Sequence, residues 1–355
     1  MPKFAKPKSQ PILSLDPSLG SKKDLAKIRD NFSAIVLTGD YVWLGGDEGT
    51  QIDRMKRGHG GDFAQHRRFD LGPLVSLPVQ GSKPSEIDIE GLDFDGSCLW
   101  LVGSHSLKRK KVEDDKTPQE NRERLAKIEA DPNRYTLARV PLDGKREPQK
   151  QNDSRSAARL EGDEKGDLLS RALAADPHIG PFCKVPSKDN GLDVEGLAVK
   201  GNRAFVGLRG PVLRGWAVVL ELELKDSAPG TLVFASPLRK HFLQLDGLGV
   251  RDLAIHGKDL YILAGPTMDL DGPVFVYLWP KALASSAEAL LPRQKLLKVL
   301  AVPYGAGKHA GRDHAEGLAL IRPQSGAPNV MICYDSPAKP RLPSDHQVRA
   351  DIFDL

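Results

Sequence analysis

The stretches "EIDIEGLDFDGSCLWLVGSH" (residues 86–105) and "GLDVEGLAVKGNRAFVGLRGP" (191–211) share one pattern, a glutamate wedged before Gly-Leu at the head of a run that reads as a buried strand. A carboxylate in that place needs a reason, and the recurrence makes it a property of a repeated unit, with Glu195 standing where Glu90 stood. Three further copies follow the same order: "FSAIVLTGDYVWLGGDEG" (32–49), "GVRDLAIHGKDLYILAGP" (249–266) and "HAEGLALIRPQSGAPNVMICYDSP" (314–337). The equivalent positions are Ser33, Glu90, Glu195, Arg251 and Glu316, separated by 57, 105, 56 and 65 residues. Apart from the doubled interval, these spacings match a four-stranded propeller blade with its loops.

Each copy predicts a short strand, a turn at Gly or Asp, a second strand such as "LWLVGS" or "YILAG", and then a third. The third-strand candidates are "FAQHRRFDL", "YTLARVPL", "WAVVLELEL", "VFVYLW" and "VRADIFDL", rich in β-branched and aromatic residues. The 105-residue interval holds one first strand and one third strand, so it reads as a single blade carrying insertions at about 106–132 and 144–186. The first insertion is helical, because Thr117, Pro118 and Glu120 form a capping box with proline at the first helical position. The second, "DGKREPQKQNDSRSAARLEGDEKGD", reads as a mobile loop, and neither insertion is expected to add to a core. The last copy lacks chain for an outer strand, whereas "PILSLD" precedes the first motif with no blade of its own. Joining them near residues 11–15 closes a ring and removes its edges. The fold expected is all-β: one β-propeller over residues 1–355, with five blades, or six if the insertion hides one.

The chain has 355 residues, 40% of them hydrophobic, enough for a substantial core. Lys and Arg number 51 against 47 Asp and Glu, so the net charge of +4 does not mark a nucleic-acid surface. Cys98, Cys183 and Cys333 are widely spaced with no CxxC pair and read as reduced thiols. The N-terminus has no apolar signal region, and no run approaches membrane-spanning length. Together these predict a monomeric cytoplasmic protein that engages neither nucleic acid nor membrane.

In a propeller the first strand of every blade lines the channel and the second runs antiparallel to it. Glu90, Glu195, Arg251 and Glu316 at first-strand starts therefore meet Asp47, Glu48, His105, Arg209, Thr267 and Asp335 at second-strand ends, all at one mouth. Arg214, Asp269, Asp271, Asp313 and His314 form a second tier. Carboxylates crowded about an axis need a cation, the arginines or raised pKa values. Ca²⁺ or Mg²⁺ suits such oxygen ligands, with Glu90, Glu195, Glu316, Asp47 and Asp335 as the set, and no organic cofactor is expected. The alternative is an internal salt-bridge network that holds blade register.

The arginines favour an anionic ligand. Metal-assisted hydrolysis would use His105, Arg209 and Arg251 catalytically and Arg214, Asp269, Asp271 and His314 for substrate. No nucleophile elbow, phosphate loop or HExxH helix is present. "YGAGKHAGRDH" (304–314) reads as a flexible connection and "KRKK" (108–111), followed by "VEDD", as a solvated loop.

The strings "DIEGLDFDG", "GSHSLKRK", "GLDVEGLAV", "GLRGPVLRGWAVVLEL", "AGPTMDLDGP", "DHAEGLAL" and "YDSP" resemble a bacterial family known as a domain of unknown function, from about residue 30 onward. The EGL unit also resembles, more distantly, the esterase-like phytase propellers, which implies metal and phosphoester chemistry at the acidic channel face; the Arg251 copy departs from that motif. The function expected is binding, with hydrolysis as a phosphoesterase or lactonase, of a small anionic molecule. The competing expectation is a non-catalytic scaffold for a protein partner.

Overall fold

The computed structural model describes residues 4–80, 85–152, 155–268, 270–305, 313–321 and 326–355. The motif strands Phe32–Thr38, Ile89–Phe94, Asp193–Lys200, Gly249–His256 and His314–Ile321 neighbour one another in a closed cycle, the last against the first. Each pairs antiparallel with its successor, Tyr41–Gly46, Cys98–Gly103, Arg203–Leu213, Asp259–Gly265 or Asn329–Asp335. A third strand follows outward in each sheet: Gln51–Arg57, Leu137–Pro141, Trp216–Ala228, Val274–Trp279 or Asp351–Asp354. Curled sheets set about a channel in this way are a β-propeller.

The letters of the motif now have separate physical reasons. Its leucine enters the core between adjacent sheets, as Leu92, Leu197, Leu253 and Leu318 do in four hydrophobic clusters, with Ile35 taking that place in the fifth. Its glycine sits where inner strands come closest. A Cβ on Gly91 would stand 2.8 Å from the Leu197 backbone nitrogen, and one on Gly317 2.8 Å from Ile35 Cγ2, inside any tolerable contact. Both faces of a blade are covered by neighbours, which is why Cys98–Gly103 is an unbroken buried run.

The closure lies at the termini. Ser9 bridges to Ile352, Ile12–Ser14 pairs antiparallel with Gln347–Arg349, and Leu13 lies beside Phe63 of the first sheet. Lys8 N–H donates to Ile352 O at 2.7 Å, so the N-terminal segment covers the edge of the last sheet.

Two expectations change. "FAQHRRFDL" supplies a fourth strand, Phe63–Asp70, because Gln51–Arg57 already occupies third place. The second insertion is built into the fold: Ala158–Leu160 pairs with Leu137–Pro141, and Leu160, Leu169, Leu173 and Ile179 are buried in one core cluster. Its charged residues mask a short apolar strand and helix. The first insertion forms the helix Pro118–Ala126 with the Thr117–Glu120 capping box and no buried residue.

Candidate functional site

At every copy the strand register slips by one residue, and the slip falls on the motif position. Phe32 pairs with Gly46 and Ala34 with Gly45, leaving Ser33 unpaired; Glu90, Glu195, Arg251 and Glu316 are passed over in the same way. A β-bulge turns the side chain of the extra residue out of the pleat. The carboxylate is therefore tolerated beside apolar strands because the bulge delivers it to the channel mouth.

Seven carboxylates, Asp47, Asp88, Glu90, Asp193, Glu195, Glu316 and Asp335, act on one another there, and among the described residues the guanidiniums of Arg134, Arg209 and Arg251 and the charge of Lys188 oppose them. They divide unequally. On one side Arg209 contacts Asp193 and holds Glu195 at 2.7 Å, while Arg251 reaches Glu195 at 3.2 Å and contacts Glu316. Arg251 also donates to Pro266 O at 3.1 Å. Burial pushes the Glu195 carboxyl up to about 8 even though both guanidiniums pull it down.

The other side holds Asp47, Asp88 and Glu90, with one oxygen from each within 4.8 Å of the others. Like charges about 5 Å apart repel by roughly 3 kcal/mol per pair at an effective dielectric near 20, so three ionised groups cannot sit there uncompensated. Ser33 Oγ donates to Asp47 at 2.5 Å, and Arg134 reaches Asp88 at 3.2 Å. Glu90 has no hydrogen-bond or ion-pair partner among the described residues. Burial first, then the charges of Asp47 and Asp88, push its carboxyl well above the usual range. Burial with Asp88 and Glu316 nearby raises Asp47 to about 7. Asp335 is raised well above its ordinary value by burial, Glu316 and Asp47, and the charge of Lys188 opposes the rise at both Asp47 and Asp335.

The remaining candidates fall elsewhere. His105 is buried away from the cluster. Nδ1 lies 2.9 Å from Gly103 O and Nε2 2.9 Å from Asp167, the residue that caps the insertion helix Leu168–Ala174. Both ring nitrogens face acceptors, so the ring holds the insertion in place and has no nitrogen left for proton transfer at the mouth. Arg214 is exposed at a hairpin tip, with φ of 49°. His314 and Asp271 lie 3.3 Å apart at the surface. Asp313 binds Arg341 at 2.8 Å. Asp269 and the glycine-rich segment 306–312 lie outside the described residues.

Asp88, Asp193, Arg134 and Lys188 were missed from sequence. Asp88 and Asp193 each precede a motif glutamate by two residues, in "DIEGL" and "DVEGL", a shared-face signal of strand alternation. Arg134 ends the 3₁₀ turn Pro132–Arg134 beyond the first insertion, and only the fold carries it to Asp88.

These features define a propeller with an acidic, bulge-built channel mouth. The chain belongs to the family described as Protein of unknown function (DUF3616), whose model matches residues 31–351. No curated protein matches it. Among solved structures it is similar to the glutaminyl cyclase of Myxococcus xanthus (10% identity, TM-score 0.39, 92% of this chain and 93% of that one). It is also similar to the PQQ-bound aldose sugar dehydrogenase of Streptomyces coelicolor (12%, TM-score 0.37, 98% and 100%). A third is the allergen Mala s 1 of Malassezia sympodialis (8%, TM-score 0.41, 92% and 93%). At such identities and scores these likenesses say nothing of activity. No helix among the described residues is long and apolar enough to cross a membrane.

Proposed function

We propose that this protein, a propeller of five blades, binds a divalent cation, Ca²⁺ or Mg²⁺, at Asp47, Asp88 and Glu90, with Asp335 beside them, and through it a small anionic, phosphoester-like ligand. The observation that carries this reading is the convergence of three carboxylates within 4.8 Å of one another, Glu90 lacking any described partner. Oxygen-only donors suit a hard cation. The mouth without a cation is net acidic and would repel a phosphate, so the cation must come first. Glu195 and Glu316, engaged by arginines, serve to balance charge and hold neighbouring inner strands together. A bound metal would lower the pKa of a coordinated water, which makes hydrolysis the reaction the donor set permits. Asp335, not His105, is then the group to take up a proton.

The test is thermal unfolding of chelator-stripped protein titrated with Ca²⁺, Mg²⁺ and Mn²⁺, for wild type and Glu90→Gln. A saturable rise confined to wild type is expected, about 2.7 kcal/mol at a hundredfold excess over Kd. Absence of a rise with every metal would overturn the reading. A scaffold role is the second reading, favoured by exposed Val112, Leu125 and Ile128 on the first insertion; a variant lacking 112–128 that keeps the metal response and loses a partner would support it.

A further inference from the structure

Resting on the cation reading above, we propose that the cavity beside the acid-rich side is the subsite for the organic part of the ligand, and that this part is hydroxyl-rich, so that the ligand is a monophosphate ester of a sugar or polyol. The cavity measures about 630 Å³, the size of a small-molecule pocket. Three pieces of chain wall it. Glu48 and Gly49 follow Asp47, Ser85 and Glu86 precede Asp88, and Lys108, Glu129 and Asp131 come from the base of the first insertion, where Lys108 pairs with Glu129. Contacts fix the cavity beside the carboxylates: Ile87 N–H donates to Gly49 O at 2.9 Å, and Arg134, which also lines the cavity, reaches Asp88 at 3.2 Å.

The polar groups of these walls are held in place by the protein itself. Asp131 accepts from Ser85 Oγ at 2.6 Å, from Asn133 N–H at 3.0 Å and from Glu86 N–H at 3.0 Å. Arg134 is buried, contacts Glu86 and donates to Ser106 Oγ at 3.1 Å. Glu129 lies between Lys110 at 3.3 Å and Lys127 at 3.1 Å. The insertion helix braces the base of the insertion, since Arg109 donates to Leu125 O and Arg124 donates to Lys111 O at 2.7 Å. Walls fixed in advance lower the ordering cost of binding.

The chemistry of the walls selects the ligand. Their side chains are polar apart from Ala130, and an apolar body would desolvate them without offering hydrogen bonds in return. Hydroxyls can donate to the carboxylates and accept from Lys108. An ionised carboxylate has about four acceptor sites, so Glu86, Glu129 and Asp131 keep capacity beyond their present partners. Charge narrows the choice further. Glu48, Glu86, Glu129 and Asp131 outnumber Lys108 and Arg134 among the described lining residues, so the one phosphate belongs at the metal and a second, carried into the cavity, would be repelled.

The experiment is calorimetric titration of inorganic phosphate, glucose 6-phosphate, phenyl phosphate and fructose bisphosphate into full-length protein loaded with Ca²⁺ or Mg²⁺, with metal binding to stripped protein recorded separately. Wild type should bind the glucose ester about tenfold more tightly than inorganic phosphate, as expected for a hydrogen bond to a charged group. Phenyl phosphate should show no such gain, and the bisphosphate should bind more weakly than the glucose ester. Lys108→Met combined with Glu129→Gln, two side chains at the surface, should abolish the gain and leave metal affinity unchanged. A glucose ester bound no more tightly than inorganic phosphate, an equal gain with phenyl phosphate, a bisphosphate bound tightest, or a gain that survives the double variant overturns this inference while the cation reading stands. Absence of metal binding to wild type overturns both.

Discussion

Glu90 and Glu195 occupy the same bulge in successive copies of one motif, yet their surroundings differ. Glu195 lies between Arg209 and Arg251, whereas Glu90 faces Asp47 and Asp88 and makes no ion pair among the described residues. One substitution within the repeat makes much of this difference: the position that is Glu in three copies is Arg251 in the fourth. Its guanidinium serves the carboxylates of both flanking copies, Glu195 and Glu316. The paired half is closed by its own side chains, and the acid-rich half is where the cation proposed above would bind.

The largest effect that would sharpen this contrast belongs to Arg251→Met. It strands the buried carboxylate of Glu316, leaves Glu195 with Arg209 alone, and should cost about 3–5 kcal/mol in denaturant unfolding; a loss near zero would show that the paired half is not held by its ion pairs. Next comes Gly91→Ala, whose added Cβ would lie 2.8 Å from the Leu197 nitrogen, against 3.1 Å from Asp252 for Gly196→Ala. Denaturant unfolding should show a loss of about 1–3 kcal/mol for the first and less for the second.

Glu90→Gln should act in the opposite direction. By relieving repulsion among half-buried acids it should stabilise metal-free protein by about 1 kcal/mol at neutral pH, whereas Glu195→Gln, which weakens two ion pairs, should destabilise it. Equal signs for the two would break the comparison.

A further effect is a slope with pH. Asp47 has a folded pKa of about 7 against 3.8 as its ordinary value, so between these values the folded chain holds the more protons. Its contribution to stability must fall as pH rises through that window. Unfolding of stripped wild type against Asp47→Asn from pH 4 to 8 should show the wild type losing ground as pH rises; parallel curves would remove Asp47 from the acid-rich set. His105 behaves with a related sign for a different reason. Burial opposes its charge, but Asp167 and the Gly103 carbonyl outweigh that and raise its pKa, so its contribution is full below the unfolded value and lost as pH rises through the folded one.

Much of the architecture was legible in the linear chain because its causes are local. A leucine bound for an inter-sheet core, a glycine where inner strands touch and a polar residue before them recur as letters, and the Thr117–Glu120 capping box needs only four residues. The second insertion was misread because Ala158 and Leu160 become a strand only when Leu137–Pro141 lies beside them.

The site was half legible for the same reason. Sequence by itself determined that polar side chains at five equivalent places reach one mouth, since equivalent places in a closed repeat share an end of the channel. Tertiary structure alone decided which of those side chains are paired. Electrostatic energy depends on distance and burial, and neither the reach of Arg251 to both neighbours nor the placing of Arg134 beside Asp88 is written in the spacing of the chain.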